Sequence, residues 1–307
     1  MSRLRVAICT HRPPAVAAGC LDELRAQGLP GADLLVVASG LDGPGVAAHE
    51  LAVHAATPDA TVLSETRPGL SRARNAALAA CADEDLIAFV DDDCLPAPGW
   101  LSALRSSWDD AAADLAAVGG PIRLRFPYAR PPWLTDEMLG ALTALDYGPD
   151  PLELDPSVRT LHGTNISFRS GPLREAGGFD PSYGHSGTRI FFGEEGEAQR
   201  ALARLGYRIR YEPSVWVWHL VPAVRLTRRK VLSRRFYYGA SLGRRGGRSS
   251  GAALRAAARS AAGVPVALLG ADQSLAMERA YRAVENTGVV LWRAVRAADD
   301  GATSERS

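Results

Sequence analysis

The sequence predicts an α/β fold: a mostly parallel sheet with helices on both faces. Three observations carry this. Short apolar runs recur along the chain, helical stretches separate several of them, and the runs are apolar throughout rather than alternating. That last pattern belongs to strands buried on both faces. A chain of 307 residues, 47% hydrophobic and 22% charged, is long enough to bury a sizeable core.

"LRVAICT" (4–10) reads as the first strand. In "AVAAGCLDELRAQG" (15–28), Val16, Cys20, Leu21 and Leu24 recur at helical spacing and Gly28 stops the helix. "DLLVVASG" (33–40) and "ATVLSE" (60–65) are the second and third strands. "GLSRARNAALAACADE" (69–84) is an Ala-rich helix with Ser71 as its N-cap. "LIAFV" (86–90) is the fourth strand, and "PGWLSALRSSWDDA" (98–111) the next helix. After "LAAVGGPIRLRF" (115–126), residues 127–157 are rich in Pro, Asp and aromatics and read as an excursion from the sheet. Regular structure resumes at "TLHGTNISFRS" (160–170). A helix over 194–206 follows, then two strands, "YRIRYEP" and "SVWVWH", around Pro213. Residues 225–248 carry nine basic side chains and no acidic one; 252–297 are Ala-rich and helical, with an apolar insert "VPVALLG" (264–270).

Net charge is +1, so the chain as a whole has no general attraction to nucleic acid, and no aromatic-studded nucleic-acid module is present. Lys230 is the only lysine among 35 basic residues, the composition of a GC-rich genome, so scattered arginines do not by themselves mark phosphate sites. Cys9, Cys20, Cys81 and Cys94 show neither metal-binding nor disulfide spacing. The first apolar stretch is too short for a signal-peptide core, and no run approaches the ~18 to 20 apolar residues that span a bilayer. The expected location is the cytoplasm, at most peripheral to the inner face of the plasma membrane.

"DLIAFVDDDCLPAPGW" (85–100) sets Asp91, Asp92 and Asp93 directly after a strand. In open α/β sheets ligands bind at this end of the strands. The three like charges have no Lys or Arg within the stretch. Three accounts compete: a solvated acidic turn opening a helix, a hard divalent cation held by carboxylates, and a phosphoryl-accepting aspartate of the haloacid dehalogenase type. The last normally sits on the first strand, whereas this DxD follows the fourth. Elsewhere, Glu194 and Glu195 stand at a helix mouth after a Gly-rich loop, and His219 ends an apolar strand. Each has a bland reading alone, as dipole-favoured acids or a surface imidazole. Together they point to a site, and imidazole suits Mn²⁺-type coordination.

In order, "RVAICTHRP", "RPGLSRARNAAL", "IAFVDDDC", "HGTNISFR", "GGFDPSYG", "GEEGEAQRALARLG" and "VWVWH" resemble family 2 glycosyltransferases of the GT-A fold, over roughly residues 4 to 240. The resemblance implies an inverting transfer from a nucleotide-sugar donor, in bacterial glycan or secondary-metabolite biosynthesis, with a divalent cation (Mn²⁺ or Mg²⁺). It implies that Asp93, Asp91 and His219 hold the metal, that Asp91 lies near the ribose or metal, and that Asp92 assists. Thr10, Arg12, Arg72, Arg74 and Asn75 fall on the donor side. Glu195 aligns with the usual base and Glu194 with its acidic neighbour; "GEE" replaces the usual Gly-Glu-Asp, which leaves the base open between the two. The turn "VVASG" (36–40) lacks the Asp that commonly holds the nucleobase, so the nucleobase is open as well.

Trp133, Thr164 and Asn165 are the acceptor-side candidates, the acceptor being a saccharide, lipid-linked glycan or natural product. Residues 183–193 read either as a lid over the donor or as a plain loop. The expected domains are 1–224, with a donor half to about 120 and an acceptor half from about 121, and a helical extension over 225–307. The basic segment 225–248 is expected to meet something anionic, a membrane surface or a phosphate-bearing acceptor. Without its ligands the aspartate site is expected to be loose and hydrated. A non-catalytic GT-A-like chain that binds nucleotide or a partner is the alternative reading, motivated by the missing Asp and the GEE variant.

Overall fold

The computed structural model describes residues 3–109, 111–186, 189–246, 249–269 and 272–304. These fall into two compact units. One comprises Met1–Arg125 with Thr143–Leu220, the other Phe126–Leu142 with Val221–Ser307. Residues 126–142 of the Pro- and aromatic-rich excursion thus group with the C-terminal helices.

The first unit is built on an eight-stranded sheet. In chain order its strands are β1 (Leu4–Thr10), β2 (Leu34–Ser39), β3 (Thr61–Glu65), β4 (Leu86–Val90), β6 (Leu115–Gly119), β8 (Leu152–Glu153), β9 (Asn165–Arg169) and β12 (Arg208–Tyr211). Across the sheet they run β3-β2-β1-β4-β9-β6-β12-β8. β1 pairs in parallel with β2 and β4, β2 with β3, and β12 with β6. Every residue of β2, β4 and β6 is buried, as the uninterrupted apolar runs require of strands covered on both faces. A second sheet joins β5 (Cys94–Pro96), β13 (Val217–Leu220) and β7 (Ile122–Arg125) in the order β5-β13-β7. A short antiparallel hairpin links β10 (Gly184–Ser186) and β11 (Arg189–Phe191); residues 187–188 of the lid-or-loop segment lie outside the described residues.

β9 runs antiparallel between β4 and β6, which the strand pattern did not foretell. A parallel neighbour would need a crossover back to the opposite end of the strands. Here the chain leaves at the C-terminal end of β6 and re-enters from that end. The start of β9 therefore lies beside the end of β4, with Asn165 paired to Val90. That registration brings Thr164 next to Asp91.

The helices of this unit are α1 (Ala18–Ala26), α2 (Gly43–Ala56), α3 (Leu70–Ala79), α4 (Trp100–Asp109), α5 (Ser170–Glu175) and α6 (Glu194–Arg204). α2 is absent from the sequence reading. Its segment is Ala-rich and buries only His49 and Val53, so it presents almost no apolar stripe. The signal available was its cap: the Asp42 carboxylate accepts from Gly45 N–H at 2.9 Å and a proline sits in the first turn. Ser71 is not the cap of α3, which starts at Leu70 after Gly69. Ser71 lies inside the helix, buried, and donates to the Tyr183 carbonyl at 3.0 Å.

The second unit contains α7 (Arg228–Arg245), α8 (Ser250–Leu269) and α9 (Gln273–Ser304), with a 3-10 turn at Asp136–Leu142. The insert at 264–269 does not break α8, which continues through Pro265. α7 and α9 approach to backbone contact. A Cβ on Gly239 would lie 2.0 Å from the Glu285 carbonyl oxygen, and one on Gly288 would lie 2.2 Å from that of Phe236. Beside this seam Arg235 pairs with Glu285 and stacks on the rings of Tyr281 and Tyr238 at 4.5 and 5.0 Å. Among the described residues no helix is long and apolar enough to cross a membrane.

Candidate active site

The C-terminal ends of β1 and β4, the start of β9, the mouth of α6 and the end of β13 supply the candidate residues. The first cluster answers the charge problem posed by the three aspartates. Arg12, in the turn after β1, donates through Nε to Asp92 Oδ2 at 2.9 Å and through Nη1 to Asp93 Oδ2 at 2.9 Å, and its Nη2 also meets Asp92. The Thr10 hydroxyl donates to Asp92 at 2.5 Å. His49 holds the turn from below, with Nε2 2.9 Å from the Arg12 carbonyl oxygen, where it serves as donor. Asp92 and Asp93 are consequently buried. The site is held rather than loose: Arg12, 80 residues upstream of Asp92, pairs with both carboxylates, a partner that nearby charges in the sequence do not reveal.

Asp93 and His219 come together because β13 pairs with β5, setting His219 against Cys94. His219 Nε2 lies 3.5 Å from Asp93 Oδ1. Burial alone would raise the Asp93 pKa; the hydrogen bond and charge of His219, with Arg12, outweigh it and hold the carboxyl well below the usual range. Asp91 points elsewhere. It accepts from the Thr164 hydroxyl at 2.7 Å and lies 3.9 Å from Arg74 Nη2.

Arg74 centres the second cluster. It is 3% exposed, stacked against Phe89 and Phe179 at 5.8 and 5.6 Å. Its Nη1 donates to Glu194 Oε1 at 2.9 Å and lies 4.0 Å from Glu195 Oε2. Gly163 must be glycine to admit it, since a Cβ there would lie 2.1 Å from Arg74 Nη2. Glu194 and Glu195 open α6 after Gly193, whose φ of 102° suits glycine. Burial and the neighbouring Glu195 charge push Glu194 up to about 7 against the pull of Arg74. For Glu195, burial is outweighed by Arg74, His162 and backbone N–H groups, and its pKa falls. The two carboxyls are pushed in opposite directions, Glu194 up and Glu195 down, and titrate as a unit. Glu195 Oε1 accepts from Gly163 N–H at 3.3 Å, while Oε2 is buried without a hydrogen-bond partner among the described residues.

The remaining candidates divide. Asn75 spends its amide on the Phe179 backbone, donating at 2.7 Å and accepting at 2.9 Å. Asn165 is saturated by Trp100 Nε1 and the carbonyls of Val215 and Pro121. Both therefore tie elements together. Arg72 is half-buried on α3. Trp133 belongs to the second unit, where the Arg228 guanidinium lies 5.9 Å over its ring. Three participants were not singled out from sequence. His162 lies near Glu195, with Nδ1 3.4 Å from the carbonyl of Thr143, a β-branched residue held at φ 76°. His49 was hidden with α2. Ser39, at the end of β2, has its hydroxyl buried without a hydrogen-bond partner among the described residues; it stands in the turn where no carboxylate was found.

Residues 5–177, more than half of the chain, match the family described as Glycosyl transferase family 2. The chain belongs to this family. Among curated relatives, this family 2 glycosyltransferase is 32% identical over 173 residues to the Pre-mycofactocin glycosyltransferase of Mycobacterium tuberculosis, covering 56% of the chain and 34% of the relative. It is 27% identical over 158 residues to the Glucosyl-dolichyl phosphate glucuronosyltransferase of Haloferax volcanii, covering 51% of the chain and 50% of the relative. The matches thus span about a third to a half of the relatives' lengths.

Its fold is similar to that of the mannosyltransferase PcManGT from Pyrobaculum calidifontis, solved with GDP-Man and Mn²⁺ (TM-score 0.59, 20% identity, 94% of this chain and 87% of that one). It is similar also to S. aureus TarS 1–349 with UDP (TM-score 0.52, 16% identity, 93% and 90%). The architecture is GT-A.

Proposed function

We propose that this chain transfers a glycosyl group from a nucleotide-sugar donor to an acceptor hydroxyl, by a metal-assisted single displacement that inverts the anomeric carbon. One observation carries the reading: Arg74 and Thr164 meet at Asp91, joining the aspartate cluster to the Glu194–Glu195 pair. In this reading the aspartates hold the donor and the glutamate pair supplies the base, both beside the C-terminal end of β4.

Asp93 and His219 converge at 3.5 Å, and Asp91 is the most exposed of the three aspartates; no group of three metal-ligand side chains converges among the described residues. Mg²⁺-type sites commonly use one or two carboxylates together with substrate phosphates, so Asp93 with His219 fits as the holder, while Asp91 is engaged by Thr164 and faces Arg74. A bound cation would stabilise the charge growing on a departing diphosphate. Arg12, 27% exposed at its side chain, and half-buried Arg72 offer further positive charge to that diphosphate. Ser39 offers a hydroxyl to the nucleobase in place of a carboxylate.

Glu195 is the base in this reading. It is held ionised, oriented by Gly163 N–H, and keeps Oε2 for the acceptor hydroxyl. Glu194, raised to about 7, is the less ionised of the two in this reading. The Mn²⁺ and nucleotide-sugar in the mannosyltransferase neighbour support this donor class. A saccharide, lipid-linked glycan or natural product in a bacterial cytoplasm is the acceptor class proposed.

Calorimetry across UDP-, GDP- and dTDP-sugars, with and without Mn²⁺, tests the reading. One donor is expected to bind only with metal and to be lost in Asp93→Asn. If no donor binds in any metal condition, the transferase reading fails.

A further inference from the structure

We infer that the start of α7 in the second unit is a docking surface for an anionic lipid bilayer. The charge of the chain is strongly segregated. Residues 221–307 carry 16 Lys and Arg against six Asp and Glu, although the whole chain is only +1. Between Glu212 and Asp272 there are 11 cations and no acid.

The placement of these cations is informative. Arg228, Arg229 and Lys230 fill the first turn of α7 and are all exposed. Cations are disfavoured there, because a helix carries its partial positive charge at the N-terminus. Arg228 has partners in Gln273 and the Trp133 ring; for Arg229 and Lys230 an opposing negative surface would supply one. The end of the unit is built to present them. Arg228 Nη2 donates to Gln273 Oε1 at 2.6 Å, so the starts of α7 and α9 lie together.

Apolar groups complete the surface. Val224, just before α7, is 66% exposed, and Trp133 lies half-buried under Arg228. Exposed cations with an apolar residue and an indole at their base suit the headgroup–acyl boundary, where long basic side chains reach the phosphates and apolar groups enter below. Nucleic acid fits less well, since among the described residues no row of exposed aromatic faces accompanies the cations. This inference does not depend on the donor chemistry.

The test uses the full chain, co-sedimented with vesicles of phosphatidylcholine alone or mixed with phosphatidylglycerol. Binding is expected only to the mixed vesicles and should weaken as salt is raised. Each basic residue near such a surface adds about 1 kcal/mol, roughly fivefold in partitioning. Arg229→Gln with Lys230→Gln should therefore lower partitioning about 20- to 30-fold, with an unchanged circular dichroism spectrum. Arg255→Gln with Arg259→Gln, on exposed positions of α8, should lower it less than about threefold. Equal binding to both vesicle types overturns the inference, as does equal loss in the two double variants. Binding to duplex DNA or heparin in place of the vesicles overturns it too.

Discussion

Two buried acidic clusters in the first unit are each paired with one arginine, and they differ in how that arginine is held. Arg12 spans Asp92 and Asp93 with its side chain 27% exposed. Arg74 is 3% exposed, fixed between two phenylalanine rings. Around Arg12 the outcome is a carboxyl with a depressed pKa; around Arg74 the two carboxyls are pushed apart, Glu194 up and Glu195 down. A partly exposed guanidinium can yield its place to another cation at modest cost. A buried one cannot leave without stranding charge in a low-dielectric interior. The first cluster is therefore suited to exchanging partners and the second to keeping a fixed charge state.

Four measurements sharpen or break this contrast, from the largest expected effect to the smallest. Glu195→Gln should lower kcat by about 10²- to 10⁴-fold with donor affinity retained. Glu194→Gln, which mimics the protonated form, should lower it less than about tenfold at pH 6; the opposite ranking would exchange the two roles. Arg74→Met should cost about 3–5 kcal/mol in urea denaturation, the range for breaking a buried pair. Glu194→Gln in the same chain should return part of that loss, because one stranded carboxylate is gone.

Arg12→Gln should cost only about 1–3 kcal/mol, and added Mn²⁺ should recover some of it through binding to the freed carboxylates. If the two arginine substitutions cost the same, or Mn²⁺ does nothing, the clusters are alike and the contrast is wrong.

The smallest effect is in pH dependence. Asp93 has a depressed folded pKa, so it contributes stability that is present above its unfolded value near 4 and lost on acidification. Glu194 has the opposite sign. Between its ordinary value of about 4.5 and about 7 the folded chain retains a proton the unfolded chain has released, so stability falls as pH rises. Urea midpoints across pH 4 to 8 should show that decline in the wild type and a flatter profile in Glu194→Gln.

The first unit's sheet was readable wherever a strand is buried on both faces, as in β2 and β4, since burial of that kind writes an unbroken apolar run. α2 was not readable, because a helix that buries two residues leaves no stripe. The site was legible in part. Asp91–Asp93, Glu194–Glu195 and His219 announce themselves as charged or imidazole groups directly after apolar or glycine punctuation. Asn75 and Asn165 sit in equally recognisable motifs, yet their amides are consumed by backbone partners that only the fold brings near.

What the sequence determined by itself was the layered α/β architecture and the residue types of the site, because both follow from short-range patterns of burial and charge. The tertiary structure alone decided the partnerships. Arg12 meets Asp92 from 80 residues away and Arg74 meets Glu194 from 120. The antiparallel entry of β9 sets Thr164 on Asp91. Each depends on strand order and direction, which arise when distant segments compete for the same edge of a sheet and leave no local trace in the chain.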